Sequence, residues 1–375
     1  PPGRRYLVRT TMGLVVVPAR TGSAGARTAL SSWREVPGLT AKPEVRGAAM
    51  IHPEDAQLHE PTSTDPLWGE TNYFGLYVAG VPMNIGVYAL FRTNVGVVTT
   101  NVSVNTRKVL MPWAADYWDA WAQTPIPESR SLLDYKLASG LHVTCLEPNK
   151  VWDVRYDDGG TLSLDFRYTA LMDGFDIHDP AQDPMVAAQA TGSDFSWGHA
   201  YSGHFDQTGY FEGDLVLRGQ RYEIDCVSTM DHSWGVRQER QHTTMSWLHA
   251  HFSRDLAIHA IFDFDPAGGP AATTPLQLTH GYVLEKGEVA GLKAGHGRAE
   301  RADFHPQEIH LTLTDASDRE WELTGTPLTA FPWQAWPGTV GHNALMRWEC
   351  QGRTGYGEVM DFIGLHALTE SYTRD

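Results

Sequence analysis

Fourteen residues near the middle of the chain, TMDHSWGVRQERQH from Thr229 to His242, concentrate groups that can do chemistry. Asp231, His232, Trp234 and Arg237 lie within seven positions of one another. On a strand, neighbouring side chains point to opposite faces, so Asp231 shares a face with Ser233, and His232 shares the other with Trp234. If the Asp231 face lines an apolar pocket, desolvation favours the neutral carboxyl and makes it a general acid. The alternative is structural: Asp231 accepts hydrogen bonds from the backbone and Arg237 and pins a turn.

A second group lies in TTMSWLHAHF, where alternation puts Met245, Trp247, His249 and His251 on one strand face. His259 follows on the next strand, with Asp263 and Asp265 in phase. A His-x-His strand plus a further His is one way to bind a metal in a β-barrel, so a metal-dependent enzyme using His249, His251 and His259 stands as an alternative. The competing reading makes them satisfied polar groups inside a barrel, with no metal. A third group, LWGETNYFGLYV, offers Glu70 and Tyr73 as pocket residues or as ordinary first-strand residues. There is no GxGxxG after a strand, no Walker A motif and no GxSxG elbow. These absences weigh against nucleotide, flavin and serine-hydrolase chemistry, and no cofactor is expected.

The elements that position these residues read as strands. YFGLYVAG, MNIGVYALFRT, GVVTTNVSVNT and the runs flanking DDGG are β-branched and aromatic stretches broken by Gly, Pro and Asn. Turns are expected at DDGG and near Arg254-Asp255, and no helices alternate with the strands. The exception is Leu110–Gln123, where Trp113, Tyr117 and Trp121 recur every four residues and predict a helix. The expected fold class is all-β, with two antiparallel barrel or sandwich units and few short helices. The division expected is an arm at 1–60, one β unit at 61–228 and a second at 229–375.

At 375 residues the chain exceeds one ordinary core. Its 29 basic and 45 acidic residues give a net charge of −16, which argues against nucleic acid as a partner. A hydrophobic small molecule is the expected partner, and a homodimer is compatible with the sequence. Cys145, Cys226 and Cys350 form no disulfide or zinc framework, which fits a cytoplasmic protein. No apolar run is long enough for stable membrane insertion. The N-terminal stretch imitates an export signal, but Arg9, Pro18 and Arg20 interrupt it.

WGETNYF, the segment HFDQTGYFEGDLVLRGQRYEIDCVSTMDHSWGVR and the strand-rich remainder resemble the carotenoid 1,2-hydratase/AttH-like superfamily, nearest a bacterial group with a D-H-S-W-G-x-R signature. The resemblance covers about residues 60 to 370 and is sharpest at DHSWGVR. It implies two lipocalin-like β units and acid chemistry on a lipophile: protonation of an alkene, aromatic stabilisation of the cation, and capture by water. The implied activity is a hydro-lyase or an isomerase/cyclase on a terpenoid, steroid or aromatic substrate. Asp231 would be the acid, His232 would position or deprotonate water, and Arg237 would orient Asp231 or a substrate oxygen. Trp234, Trp247, His249, His251, Tyr73, Glu70 and Asp263 would line the pocket. The His-x-Trp element of the hydratases falls on His232 and Trp234. Their tyrosine–aspartate element has no clean counterpart; Phe262-Asp263 and Phe264-Asp265 come nearest. A binding protein for a lipophile, with DHSWG as a structural corner, is the non-catalytic alternative.

Overall fold

A computed structural model describes residues 8–10, 13–15, 51–189, 202–237 and 244–373. The chain divides into two compact units, residues 1–46 and 47–375. In the first, Val8–Thr10 pairs antiparallel with Gly13–Val15. The second contains both large sheets, and everything below concerns it.

The first sheet has eleven strands among the described residues and is antiparallel throughout. Its centre runs Met83–Arg92, Trp68–Val78, Gln220–Val236, Gly203–Leu217, Leu162–Ala170. Alternation works plainly toward its far edge. On Val151–Asp157, Trp152, Val154 and Tyr156 are buried, while the other face carries the ion pairs Arg167–Asp153 and Arg155–Asp165. The sheet curls into a half-barrel over its own core. Near its open side the Tyr156 hydroxyl donates to Asp119 on the edge strand Tyr117–Pro125 at 2.6 Å.

The second sheet has nine strands among the described residues, from Thr244–Ser253 to Arg353–Gly364. Glu320–Pro327 also pairs with Thr339–Cys350, which closes eight of the strands into a barrel. Closure removes the exposed strand edges that an open sheet would carry. Leu248, Phe262, Leu311, Trp321 and Trp348 fill this barrel. The architecture is therefore all-β, with two lipocalin-like units and two α-helices, Pro184–Gln189 and Leu365–Thr373, among the described residues.

The central strands of the first sheet break the alternation rule. Trp68–Val78 is buried at ten of its eleven positions, on both faces. One face covers the half-barrel core, through Phe74 and Leu76. The other meets the second barrel across a layer in which Tyr73, Tyr88 and Phe175 pack with Trp247, Ile261 and Met360. The site lies in this layer.

Two expectations change. The boundary expected between 228 and 229 falls inside the strand Gln220–Val236, which belongs wholly to the first sheet; the second sheet begins at Thr244. The helix expected at Leu110–Gln123 is instead a short 3-10 turn at Pro112–Ala114 followed by the strand Tyr117–Pro125. Pairing with Val97–Asn105 decides the matter, since tertiary hydrogen bonding overrides a four-residue aromatic spacing. Asp116 fixes the preceding loop by accepting from the Thr106 backbone N–H and hydroxyl, at 2.7 and 2.6 Å. Trp113 stays 74% exposed and Trp121 42%.

Candidate active site

The motif is set by a hairpin. Leu217 pairs with Gln220 across a two-residue turn, and both turn residues have positive φ: 50° at Arg218 and 81° at Gly219. That conformation matches the twist of paired strands and suits glycine. The register runs unbroken from there, so Asp206 lies opposite Asp231 and His204 opposite Ser233. On the other side of the same strand, Asp231 faces Tyr73 and Ser233 faces Thr71. Tyr88, Tyr73, Asp231 and Asp206 thus form one row across four strands.

Tyr88, Tyr73 and Asp231 of this row floor a narrow cleft of about 40 Å³ between the two sheets, with Asp206 buried beside it. Thr71, Ser233 and His204 continue the floor, and the second sheet supplies Met245, Trp247, Trp333, Trp336, Met360 and Phe362. The walls are therefore aromatic and apolar, and the polar groups gather on one side.

Asp231 is half-buried, its remaining accessible surface opening on the cleft. Among the described residues no group donates a hydrogen bond to its carboxylate. Burial is the main cause that pushes its pKa from 3.8 up to about 7; the carboxylates of Asp206 and Glu358 add to the rise, while His204 and Arg237 oppose it. The structural alternative, a carboxylate satisfied by a turn and by Arg237, does not match this environment. Arg237 instead donates to the Ser233 carbonyl at 2.9 Å and to its hydroxyl at 3.0 Å. That hydroxyl lies 2.6 Å from Thr71 Oγ1, so Arg237 braces the floor beside Asp231.

Asp206 is fully buried and fully used. Its Oδ2 lies 3.0 Å from both His204 Nε2 and His259 Nε2, and its Oδ1 accepts from Trp247 Nε1 at 2.8 Å. Burial would raise its pKa, but the two imidazoles outweigh that and hold it well below the carboxylate range. Burial likewise disfavours a charged His204, and Asp206 outweighs it, so the His204 pKa is raised. The cleft thus sets a neutral-leaning acid, Asp231, beside a His204–Asp206 ion pair. Environments that drive neighbouring groups apart in this way are typical of acid–base sites.

A model of the family designated domain of unknown function DUF7064 matches residues 52–361. The chain belongs to this family. A crystal structure of an AttH-type protein from Nitrosomonas europaea superposes with a TM-score of 0.55 at 13% identity, over 86% of this chain and 99% of that one. The structure of CghA with Sch210972 gives a TM-score of 0.44 at 11% identity, over 80% of this chain and 89% of that one. The curated proteins gave no match. The fold of this DUF7064 chain is AttH-like.

The structure divides the sequence candidates between two faces. Asp231, Tyr73 and Trp247 line the cleft, with Arg237 behind them. The Tyr73 hydroxyl donates to buried Glu358 at 2.7 Å, and burial raises the pKa of that glutamate. His232, Trp234 and Glu70 lie on the opposite face, toward the half-barrel interior. There His232 Nδ1 lies 2.6 Å from the Thr71 carbonyl, and Trp234 stacks on His59 with 3.9 Å between ring centroids. His232 therefore shares the chain with Asp231 but not the cavity, as strand alternation requires.

His249, His251 and His259 sit behind Trp247 and do not line the cleft. His249 lies 4.2 Å from His259 and 5.5 Å from His251 between ring centroids, with interplanar angles of 25° and 13°. Burial lowers the His249 pKa well below the imidazole range and that of His251 to about 3. Asp206, His249 and His259 each offer a ligand atom within 4.8 Å of the others, whereas His251 stands outside that group. Asp263 is outside the cleft, its pKa raised by burial to about 6, and Asp265 caps a 3-10 turn by accepting from Ala267 N at 2.8 Å.

Sequence reasoning passed over His204 and Asp206, although both stand in the quoted HFDQTGYF. The signal was there: Arg218-Gly219 is a two-residue hairpin turn, and counting back along both strands from it brings Asp206 to Asp231. The aromatic wall from Trp333, Trp336 and Phe362 carried no such signal, because it is brought in by the packing of the second sheet.

Proposed function

We propose that this chain is a cofactor-independent acid–base enzyme of the hydratase or cyclase type, acting on a hydrophobic alkene in the cleft between the two β units. The observation that carries the reading is Asp231: an acid with a pKa near 7, without a hydrogen-bond donor among the described residues, facing an aromatic cavity. A carboxyl that stays protonated near neutral pH can deliver its proton to an alkene carbon. The π pair forms the new C–H bond, leaving a carbocation and the Asp231 carboxylate. Trp247, Trp333 and Tyr88 present ring faces and edges around that charge, and attraction to the ring quadrupole stabilises it. Water adding to the cation yields an alcohol and returns a proton to Asp231. An internal alkene adding instead yields a ring, with loss of a neighbouring C–H proton restoring the acid. The reverse of the first course is dehydration.

In this reading His204, whose pKa is raised by Asp206 against the effect of burial, favours the carboxylate as it forms, and Arg237 positions the floor. His232 lies on the other face and takes no part in proton transfer. The apolar walls match the hydrocarbon surface of a terpenoid or steroid alkene, and the cleft of about 40 Å³ has to widen to admit one. The test is incubation of the protein with a panel of such alkenes in deuterated water. Wild type should place deuterium on the protonated carbon, and Asp231→Asn should not while still binding the same compound. Deuterium incorporation by the variant at the wild-type rate would refute the assignment. Tight binding without turnover of any compound by either form would favour a lipophile-binding protein.

A further inference from the structure

The face opposite Asp231 holds a second cluster that the proposed chemistry does not use. His59 Nδ1 lies 2.8 Å from Glu70 Oε1, and His232 Nε2 lies 3.1 Å from the same oxygen. Glu70 and His232 are buried to 2% exposure or less; the His59 side chain keeps 21%, which leaves a path from solvent. The three ligand atoms lie within 4.8 Å of one another.

We propose that His59, Glu70 and His232 bind a divalent transition metal of the zinc class. Two imidazoles and one carboxylate are a common ligand set for such an ion. Three features favour binding over an ordinary polar cluster. The outer nitrogen of each imidazole is already engaged, His232 Nδ1 with the Thr71 carbonyl at 2.6 Å and His59 Nε2 with Asp55 at 3.1 Å. Such outer contacts fix the tautomer and aim the inner nitrogen at the metal. His232 Nε2 is buried and, despite its nearness to Glu70, makes no well-aligned hydrogen bond, as a nitrogen directed at an ion position would. Glu70 Oε2 accepts from the His59 backbone N–H at 2.9 Å, which leaves Oε1 to the two imidazoles. The ring centroids of His59 and His232 are 6.1 Å apart, and their inner nitrogens converge on the same Glu70 oxygen.

The ion would join the segment before the first strand, which carries His59, to the strand that carries Asp231. Its effect is on the stability of the motif, since Asp231 faces away from it.

The experiment uses the full chain, stripped with chelator and titrated with Co²⁺ and then Zn²⁺. One Co²⁺ per chain with a ligand-field absorption band, displaced by Zn²⁺, and a melting temperature that rises with Zn²⁺, are expected. Glu70→Gln and His232→Gln should abolish the band, while His249→Gln should keep it. Should Glu70→Gln or His232→Gln fail to fold, Asp55→Asn removes only an outer contact and should weaken Zn²⁺ binding about 10- to 100-fold. Absence of stoichiometric binding, or a band that survives Glu70→Gln and is unchanged in Asp55→Asn, would overturn the proposal.

Discussion

Replacing Asp231 with Asn should stabilise the protein above neutral pH while removing turnover. The size follows from the environment of the carboxyl. In the unfolded chain the group ionises near 3.8, and in the folded protein near 7. A folded pKa raised above the unfolded one means that the group contributes most stability below the unfolded value. That contribution is lost as pH climbs toward the folded value, because the unfolded chain releases the proton first. Each unit between the two values is worth ~1.4 kcal/mol, so wild type should lose about 4 kcal/mol relative to Asp231→Asn between pH 4 and pH 8. The asparagine cannot ionise, so its own stability lacks this component. Urea unfolding of both proteins across that range isolates the effect, since every other titration is common to them. The difference should grow toward high pH and level off above about 8. A difference that is flat with pH, or that favours wild type at pH 9, would refute the claim that Asp231 is held in its neutral form.

The same ionisation should shape activity: turnover that needs the protonated acid should fall as pH rises through about 7, and the wild-type pH–rate profile checks it. Asp206→Asn strips a buried anion from two imidazoles and an indole, and should cost about 3–5 kcal/mol in a urea titration. Trp247→Phe keeps the ring but removes the donor to Asp206, and should cost about 1–2 kcal/mol, with the His204 pKa shifted in an NMR titration. Gly203→Ala would bring a methyl group 2.0 Å from the Trp234 indole, and the overpacking should cost about 1–3 kcal/mol by thermal melting.

Much of the first sheet was legible because half-buried strands keep a period of two. Trp152, Val154 and Tyr156 against Asp153 and Arg155 display it directly. The same rule separated Asp231 and Ser233 from His232 and Trp234, and the structure keeps that separation. What alternation could not supply was the identity of the layer each face meets. Trp68–Val78 is buried on both sides, so its sequence gives no sign that Tyr73 faces a cleft and Glu70 a second polar cluster. The helix expected at Leu110–Gln123 failed because a spacing of four is local, whereas pairing with Val97–Asn105 is not. Asp206 was legible in principle, through the Arg218-Gly219 turn. The wall formed by Trp333 and Trp336 depends on how the second sheet docks, about ninety residues beyond the motif.

The most direct test of the account is the ionisation of Asp231 itself. Protein labelled with ¹³C at the aspartate carboxyl carbon, compared with Asp231→Asn to assign the resonance, would report it by NMR titration. A midpoint near 7 would match a neutral acid facing an apolar cleft. A midpoint at or below 4 would mean a solvated or hydrogen-bonded carboxylate, and would remove the proton donor on which the proposed chemistry depends.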